Sequence, residues 1–252
     1  MHAHSKKKGV GWVFRHAEAQ SMKEVGQLHV HWFYTWGYQR PAIAPKQLHF
    51  VPMIWGYYPK NLHACIRQIV NYKKHHIVNA MLAFNEPDGR KQSDFAVSKA
   101  IKAWPQLEAA GLPLGSPACA KPLGKWMKTF MRGVQKHHYR VNFVCVHWYG
   151  APNPRGFLKS LRRIHHMYHR PLWITEFAVA DWSALKTHEN KDSPAAIIHF
   201  MKVVLPALNR LRYVQRYAWF PGPQSTHTPV GRSALFNKNG SLTALGRIYA
   251  AD

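Results

Sequence analysis

VNFVCVHWYGAPNPRGFLKSLRRIHHMYHRPLWITEFAV, residues Val141 to Val179, decides the fold. Val141 to Gly150 is a run of β-branched and aromatic residues closed by glycine, and Pro171 to Val179 is a second one. Between them, Pro154 to His169 spaces its apolar residues as a helix with one buried face does. Strand, helix, strand in that order implies a parallel pair of strands.

Outward from this unit the same theme repeats. Further strand runs are Gly9 to Phe14, His29 to Gly37, His49 to Gly56, Asn79 to Pro87, Leu112 to Ala118 and Val214 to Gly222. Helical spacing covers Asn61 to His75, with Leu62, Cys65, Ile66, Ile69 and Val70 on one stripe. It recurs over Gln92 to Ala110, Pro122 to His138, Ser193 to Asn209 and Leu242 to Ala250. Eight strands in 252 residues is the arithmetic of a single α/β TIM (β/α)8-type barrel. A doubly wound sheet is the competitor, but no G-x-G-x-x-G or G-x-x-x-x-G-K-S/T follows any strand. One βα unit is expected to be irregular: Tyr38 to Gln47, between strands two and three, carries Pro41 and Pro45. Residues 1–8 read as a basic tail and 9–252 as one compact (β/α)8 domain. Asn237 to Gly240 reads as a tight turn, and the Asn239-Gly240-Ser241 sequon on it as a chance match.

Composition narrows the classes. Hydrophobic residues at 46% and aromatics at 13% exclude a disordered chain, and no apolar run reaches a membrane span. Lys and Arg number 35 against 11 Asp and Glu, a net charge of +24. Such a surface attracts polyanions, yet no zinc-finger spacing, arginine-rich block or RNA-binding motif accompanies it. The expectation is weak adhesion to anionic polymers and no specific nucleic-acid partner. Cys65, Cys119 and Cys145 form no C-x-x-C pair and are expected to be free thiols. The N-terminal residues hold no apolar signal core, so this chain shows no signal peptide.

Acids are scarce, which makes their positions informative. Only Glu86, in Leu82-Ala83-Phe84-Asn85-Glu86-Pro87, and Glu176, in Trp173-Ile174-Thr175-Glu176-Phe177, directly close apolar strand runs. They fall on strands four and seven, at the end of the barrel where catalytic groups sit. A carboxylate beside an apolar run is costly to desolvate without a purpose. Two of them across a barrel mouth fit glycoside hydrolysis, which needs a proton donor and a second carboxylate as nucleophile or base. Tyr34, Trp36, Trp55, His147, Trp148, Tyr149, Trp219 and Phe220 also stand at strand ends. Aromatic faces there suit sugar rings, although core packing is expected to claim about half of such residues. His75-His76, His137-His138 and His165-His166 lie near helix C-termini and point in different directions, so no metal is expected.

The ordered motifs resemble glycoside hydrolase family 128. They are Phe84-Asn85-Glu86-Pro87-Asp88 with Gln92-Ser93, Trp104-Pro105, Leu114-Gly115-Ser116-Pro117-Ala118 and Val146-His147-Trp148-Tyr149. Trp173 to Val179, Arg216 to Phe220, Ser233 to Phe236, Leu242 to Gly246 and Tyr249-Ala250 extend the similarity from about Val10 to Ala250. The resemblance implies a retaining endo-β-1,3-glucanase acting on laminarin- or curdlan-type glucans, with no cofactor, as a secreted or periplasmic monomer. It implies Glu86 as acid/base, protonated at rest, and Glu176 as ionised nucleophile held by Tyr149, with His147 in reserve. It further implies Asn85 on the sugar 2-hydroxyl, Trp219 beneath the reacting sugar, and Trp55, Trp148 and Tyr34 along the groove. The alternatives are a non-catalytic glucan binder on the same barrel, a hydrolase of another β-glycan, and a polyanion-binding protein.

Overall fold

The computed structural model describes residues 4–12, 18–185 and 187–252. Val13 and Phe14 of the first strand run lie outside them. The elements run β1 (Lys8–Gly11), α1 (Glu18–Gln27), β2 (Trp32–Tyr34), β3 (His49–Phe50), β4 (Met53–Ile54), α2 (Pro59–Lys74) and β5 (Met81–Asn85). They continue with α3 (Val97–Glu108), β6 (Leu114–Ala118), α4 (Lys125–Lys136), β7 (Val144–Gly150), α5 (Pro154–Tyr168), β8 (Leu172–Val179), α6 (Pro194–Arg210), β9 (Val214–Trp219) and α7 (Ala244–Ala251).

The strands pair in parallel as β3-β2-β1-β9-β8-β7 and as β4-β5-β6. Two seams join these sheets into one ring. At the first, β3 and β4 are a single barrel strand broken at Val51-Pro52. Val51 N–H still donates to Phe33 (2.9 Å), whereas Pro52 has no N–H and joins the ladder only by accepting from Leu82 (2.9 Å). At the second, Gly115 bridges Phe143 in parallel, so β6 meets β7. A Cβ at Gly115 would stand 2.5 Å from the Phe143 ring, which is why this closure needs glycine. The outcome is the (β/α)8 architecture.

Alternating side chains divide the core in two. Trp32, Tyr34, Met53, Leu82, Phe143, Cys145 and Trp173 fill the barrel interior. Near its floor the Arg216 guanidinium lies 4.1 Å from the Trp173 ring centre, and burial lowers that guanidinium to about 10. The second core lies between strands and helices, where α4 buries Met127, Phe130 and Val134 and α5 buries Phe157, Leu161, Ile164 and Tyr168.

Several expectations shift. Helix α1 follows β1, where the sequence showed no helical stripe. Helix α3 starts at Val97 rather than Gln92, because Gln92 and Ser93 turn back to bond Asn85. Residues 38–47 hold no helix, and Arg40 ties them by donating to Ala44 (2.9 Å) and Pro45 (2.7 Å) carbonyls. The Asn237 turn forms, with Gly240 at φ 78°.

The stretch read as a basic tail does not end as a tail. Lys8 opens β1 fully buried, and its ammonium donates to the Tyr249 (2.8 Å) and Ala250 (3.1 Å) carbonyls in α7. Lys7 donates to Leu208, Asn209 and Leu211 carbonyls at the end of α6. Terminal helix carbonyls lack intrahelical partners and carry partial negative charge, so cations are drawn there. Cys65, Cys119 and Cys145 are free thiols. Among the described residues, no helix is long and apolar enough to cross a membrane.

Candidate active site

Glu86 follows the last residue of β5 and Glu176 lies within β8, both at the C-terminal end of the barrel. Simple alternation does not account for Glu176. In β8, Trp173 faces the interior, so an unbroken strand would send Thr175 in and Glu176 out. The register slips against β7 between Val146 and His147, and against β9 between Ile174 and Phe177. That irregularity places Glu176 opposite His147 and turns Phe177 to the outer core. In β5 the pairing with β6 slips twice, and Phe84 and Glu86 take positive φ of 27° and 42°. Such backbone is uncommon for non-glycine residues and concentrates where a side chain must be aimed.

Tight bonds hold the strained end of β5. Asn85 N–H donates to Trp55 (2.8 Å), and Glu86 N–H to Ala118 (2.8 Å). Ser93 Oγ donates to the Asn85 carbonyl at 2.6 Å. Asp88 accepts from the Ala120 and Lys121 amides, which fastens the next loop to the same corner.

Glu176 is the centre of the site. Its Oε1 accepts from Trp36 Nε1 at 2.7 Å and from the Tyr34 hydroxyl at 3.2 Å. Its Oε2 accepts from the Tyr149 hydroxyl at 2.5 Å. His147 Nδ1 lies 2.8 Å from Glu86 Oε1 and 3.5 Å from Glu176 Oε2, so one ring nitrogen is shared by both carboxylates. Burial alone pulls the imidazole down, but Glu176 and Glu86 together hold it above its ordinary value. Burial, reinforced by Glu176, pushes the Tyr34 and Tyr149 phenols well up, so both remain donors. Ligating atoms of Glu86, His147 and Glu176 lie within 4.8 Å of one another, a set that could hold a cation. Trp36, Tyr34 and Tyr149 already bring an N–H and two O–H groups to the Glu176 oxygens, which a cation there would have to displace.

The structure brings most of the expected residues together, in revised roles. Tyr34 serves Glu176 directly rather than lining a groove, and Trp36 does so while also bounding a cavity. Trp55 is partly exposed beside Glu86 and stacks with Tyr58 (6.4 Å), itself 54% exposed. Phe220 contacts Trp36 and Tyr149 at the rim. Asn85 is buried, bonds Gln92 through Nδ2, and leaves Oδ1 without a partner.

Two expectations are corrected. Trp148 points away from the mouth, stacked on Phe200 (5.4 Å) and tilted on Phe157 (4.8 Å), because His147 and Tyr149 take the inward positions of β7. Trp219 is fully buried against Phe177, with Nε1 donating to the Ser233 carbonyl, because Ala218 takes the inward position of β9. Phe220, not Trp219, therefore faces the mouth. Sequence reasoning missed Trp12 and Phe236, which with Trp36 and Phe220 bound a cavity of about 550 Å³. It also missed Trp182, 65% exposed beside Tyr149. Isolated aromatics in loops carry no periodic signal that would mark them.

A (β/α)8 barrel with two acids facing each other at strand ends, flanked by partly exposed aromatics, defines a carbohydrate-active hydrolase. The family described as glycosyl hydrolase catalytic core matches residues 9–249. The chain is 33% identical to a mutant of a GH128 (subgroup I) endo-β-1,3-glucanase from Amycolatopsis mediterranei, solved in complex with laminaripentaose. That likeness covers 98% of this chain and 99% of that one, with a TM-score of 0.81. A GH128 (subgroup II) endo-β-1,3-glucanase from Sorangium cellulosum is 25% identical over 97% of this chain and 98% of its own, with a TM-score of 0.77. The chain belongs to glycoside hydrolase family 128. Alkali-sensitive linkage protein 1 of Schizosaccharomyces pombe is 26% identical over 215 residues, 77% of this chain, which spans only 39% of that curated relative.

Proposed function

We propose that this chain is a retaining endo-β-1,3-glucanase in which Glu86 is the acid/base and Glu176 the nucleophile. The observation that carries the mechanism is the proximity of the two acids through His147, their ligating atoms being within 4.8 Å. Retaining glycosidases hold their carboxyl groups about 5–5.5 Å apart, whereas inverting ones leave ~6.5–9.5 Å for a water. The substrate class is supported by the relatives solved as β-1,3-glucanases over nearly the whole chain.

The chemistry follows from the contacts. Glu86 protonates the departing glycosidic oxygen while Glu176 attacks the anomeric carbon. Trp36, Tyr34 and Tyr149 donate to the two Glu176 oxygens and orient them. Glu86 then takes a proton from water, which releases the sugar with its configuration kept. The unpartnered Asn85 Oδ1 accepts a sugar hydroxyl beside the reacting carbon. The cavity bounded by Trp12, Trp36 and Phe220 lies beyond the nucleophile and takes the glycone side of the chain. Trp55 and Tyr58, beside Glu86, take the leaving side. Residues 9–252 act as one catalytic unit, a monomer working outside the cytoplasm where such polymers occur.

Digestion of linear β-1,3-glucan, with β-1,4-glucan and β-1,4-mannan as controls, tests this directly. A ladder of short oligosaccharides is expected from the β-1,3 polymer alone, with the β-anomer formed first by NMR. Glu86→Gln and Glu176→Gln should each lose at least ~10³-fold in turnover while still binding oligosaccharide. Near wild-type hydrolysis by either variant would remove the assignment.

A further inference from the structure

The charge excess has a location. From Ala109 to Thr175 the chain contains no Asp or Glu, yet it carries eleven Lys and Arg, all exposed. The segment supplies α4 and α5, neighbours on the outside of the barrel. In α4, Lys125, Lys128, Arg132 and Lys136 recur at helical spacing opposite the buried Met127, Phe130 and Val134. In α5, Arg155, Lys159, Arg162 and Arg163 do the same opposite Phe157, Leu161 and Ile164. Among the described Lys and Arg side chains of the segment, only that of Arg140 reaches a carboxylate, that of Glu108. Like charges stacked a turn apart repel, so this face gains from an anionic partner.

The two helices enclose a groove of about 450 Å³ at their C-terminal ends, lined by Lys128, Arg132, Arg170, Tyr139, Met131 and Met167. Val141, before the start of β7, also lines it, which puts the groove at the end of the barrel opposite Glu86 and Glu176. Met167, 49% exposed, gives it an apolar patch of the kind a sugar ring covers. The Tyr139 ring is already stacked on His137 (5.3 Å, 19°), so the groove lacks an open platform for nucleic-acid bases.

We propose that the α4–α5 face and its groove dock a carboxylate-bearing acidic polysaccharide, which holds the enzyme on a mixed matrix while the opposite mouth cleaves neutral glucan. The cleavage half rests on the proposed function; the docking half does not. The test is retention of the full chain on immobilised polygalacturonate, with neutral dextran and duplex DNA as comparison polymers at matched salt. Lys128→Glu/Arg132→Glu/Arg163→Glu should weaken polygalacturonate binding tenfold or more, and the corresponding Gln triple by an intermediate factor. Lys23→Glu/Lys60→Glu/Lys202→Glu, with the same net-charge change on other helices, should weaken it less than twofold. All three should hydrolyse soluble β-1,3-glucan as the parent does, which shows that they fold. Equal losses from the two Glu triples would overturn the proposal, as would binding to polygalacturonate no tighter than to dextran, or weaker than to DNA. Face-specific retention by a chain that cleaves no glucan would sink the proposed function and leave the docking surface standing.

Discussion

Glu176 gathers its partners from two strand ends: Tyr34, the last residue of β2, with Trp36 just beyond it, and Tyr149 and the shared His147 in β7. A buried carboxylate held this way is pre-positioned for the nucleophile's part in the proposed mechanism. Tyr149 makes the shortest of these bonds, at 2.5 Å, and burial keeps its phenol protonated. Tyr149→Phe removes one charge-assisted bond worth ~1.5–3 kcal/mol. The expected loss in kcat on β-1,3-glucan is about 10- to 150-fold, and steady-state kinetics showing under twofold would refute the role. The two tryptophan corrections make an opposite pair of predictions. Trp219→Phe disturbs packing on Phe177 and Phe200 and frees the Ser233 carbonyl, so it should lower the melting temperature with KM unchanged. Phe220→Ala should do the reverse, lowering kcat/KM by about tenfold with stability within ~0.5 kcal/mol. A KM defect in Trp219→Phe would restore Trp219 to the sugar site.

At the scale of elements, what was legible was what periodicity encodes. The βαβ order, the proline-broken unit after β2 and the strands bearing Glu86 and Glu176 all follow from local patterns. The direction of the Glu176 side chain does not. It depends on register slips against neighbouring strands, and register is a property of pairs rather than of one run. Applied without slips, alternation sends Glu176 outward. The same limit explains Lys7 and Lys8. Their partners lie more than 200 residues away, at the ends of α6 and α7, so a basic run beside the N-terminus gave no hint of a capping role. That role is testable. Lys8→Ala leaves the Tyr249 and Ala250 carbonyls buried without their donor, a loss of about 2–3 kcal/mol. For a chain of this length it should lower the melting temperature by roughly 4–12 °C. Exposed Lys6, changed the same way, should move it by less than ~2 °C. Equal shifts from the two would mean that Lys8 contributes only as surface charge.

For the molecule as a whole, the net charge of +24 and the buried ionisable groups set a pH profile with a defined sign. Burial lowers Lys8 from 10.5 to about 8, with Asp252 offsetting part of the effect. Between those values the unfolded chain binds a proton that the folded chain has released, so stability rises with pH, by at most ~3 kcal/mol from this group. Deprotonating surface lysines acts in the same direction, because it relieves self-repulsion. The buried tyrosines set the upper limit. Tyr34, Tyr149, Tyr217 and Tyr249 are all raised above 10.0 by burial. Their contribution is complete below the unfolded value and is lost above it, as unfolded phenols ionise and folded ones cannot. The buried Cys119 and Cys145 thiols, raised by burial from 9.0, act in the same direction as the phenols, so urea unfolding should show stability climbing from about pH 8 to about pH 9 and falling beyond it. Added salt should raise the midpoint more at pH 7 than at pH 10, since screening matters most where the charge is highest. Lys8→Met should flatten the climb while leaving the alkaline fall in place. A climb of undiminished size in that variant would assign it to surface repulsion alone, and its complete absence in the parent chain would show that the Lys8 ammonium keeps its proton in the folded state.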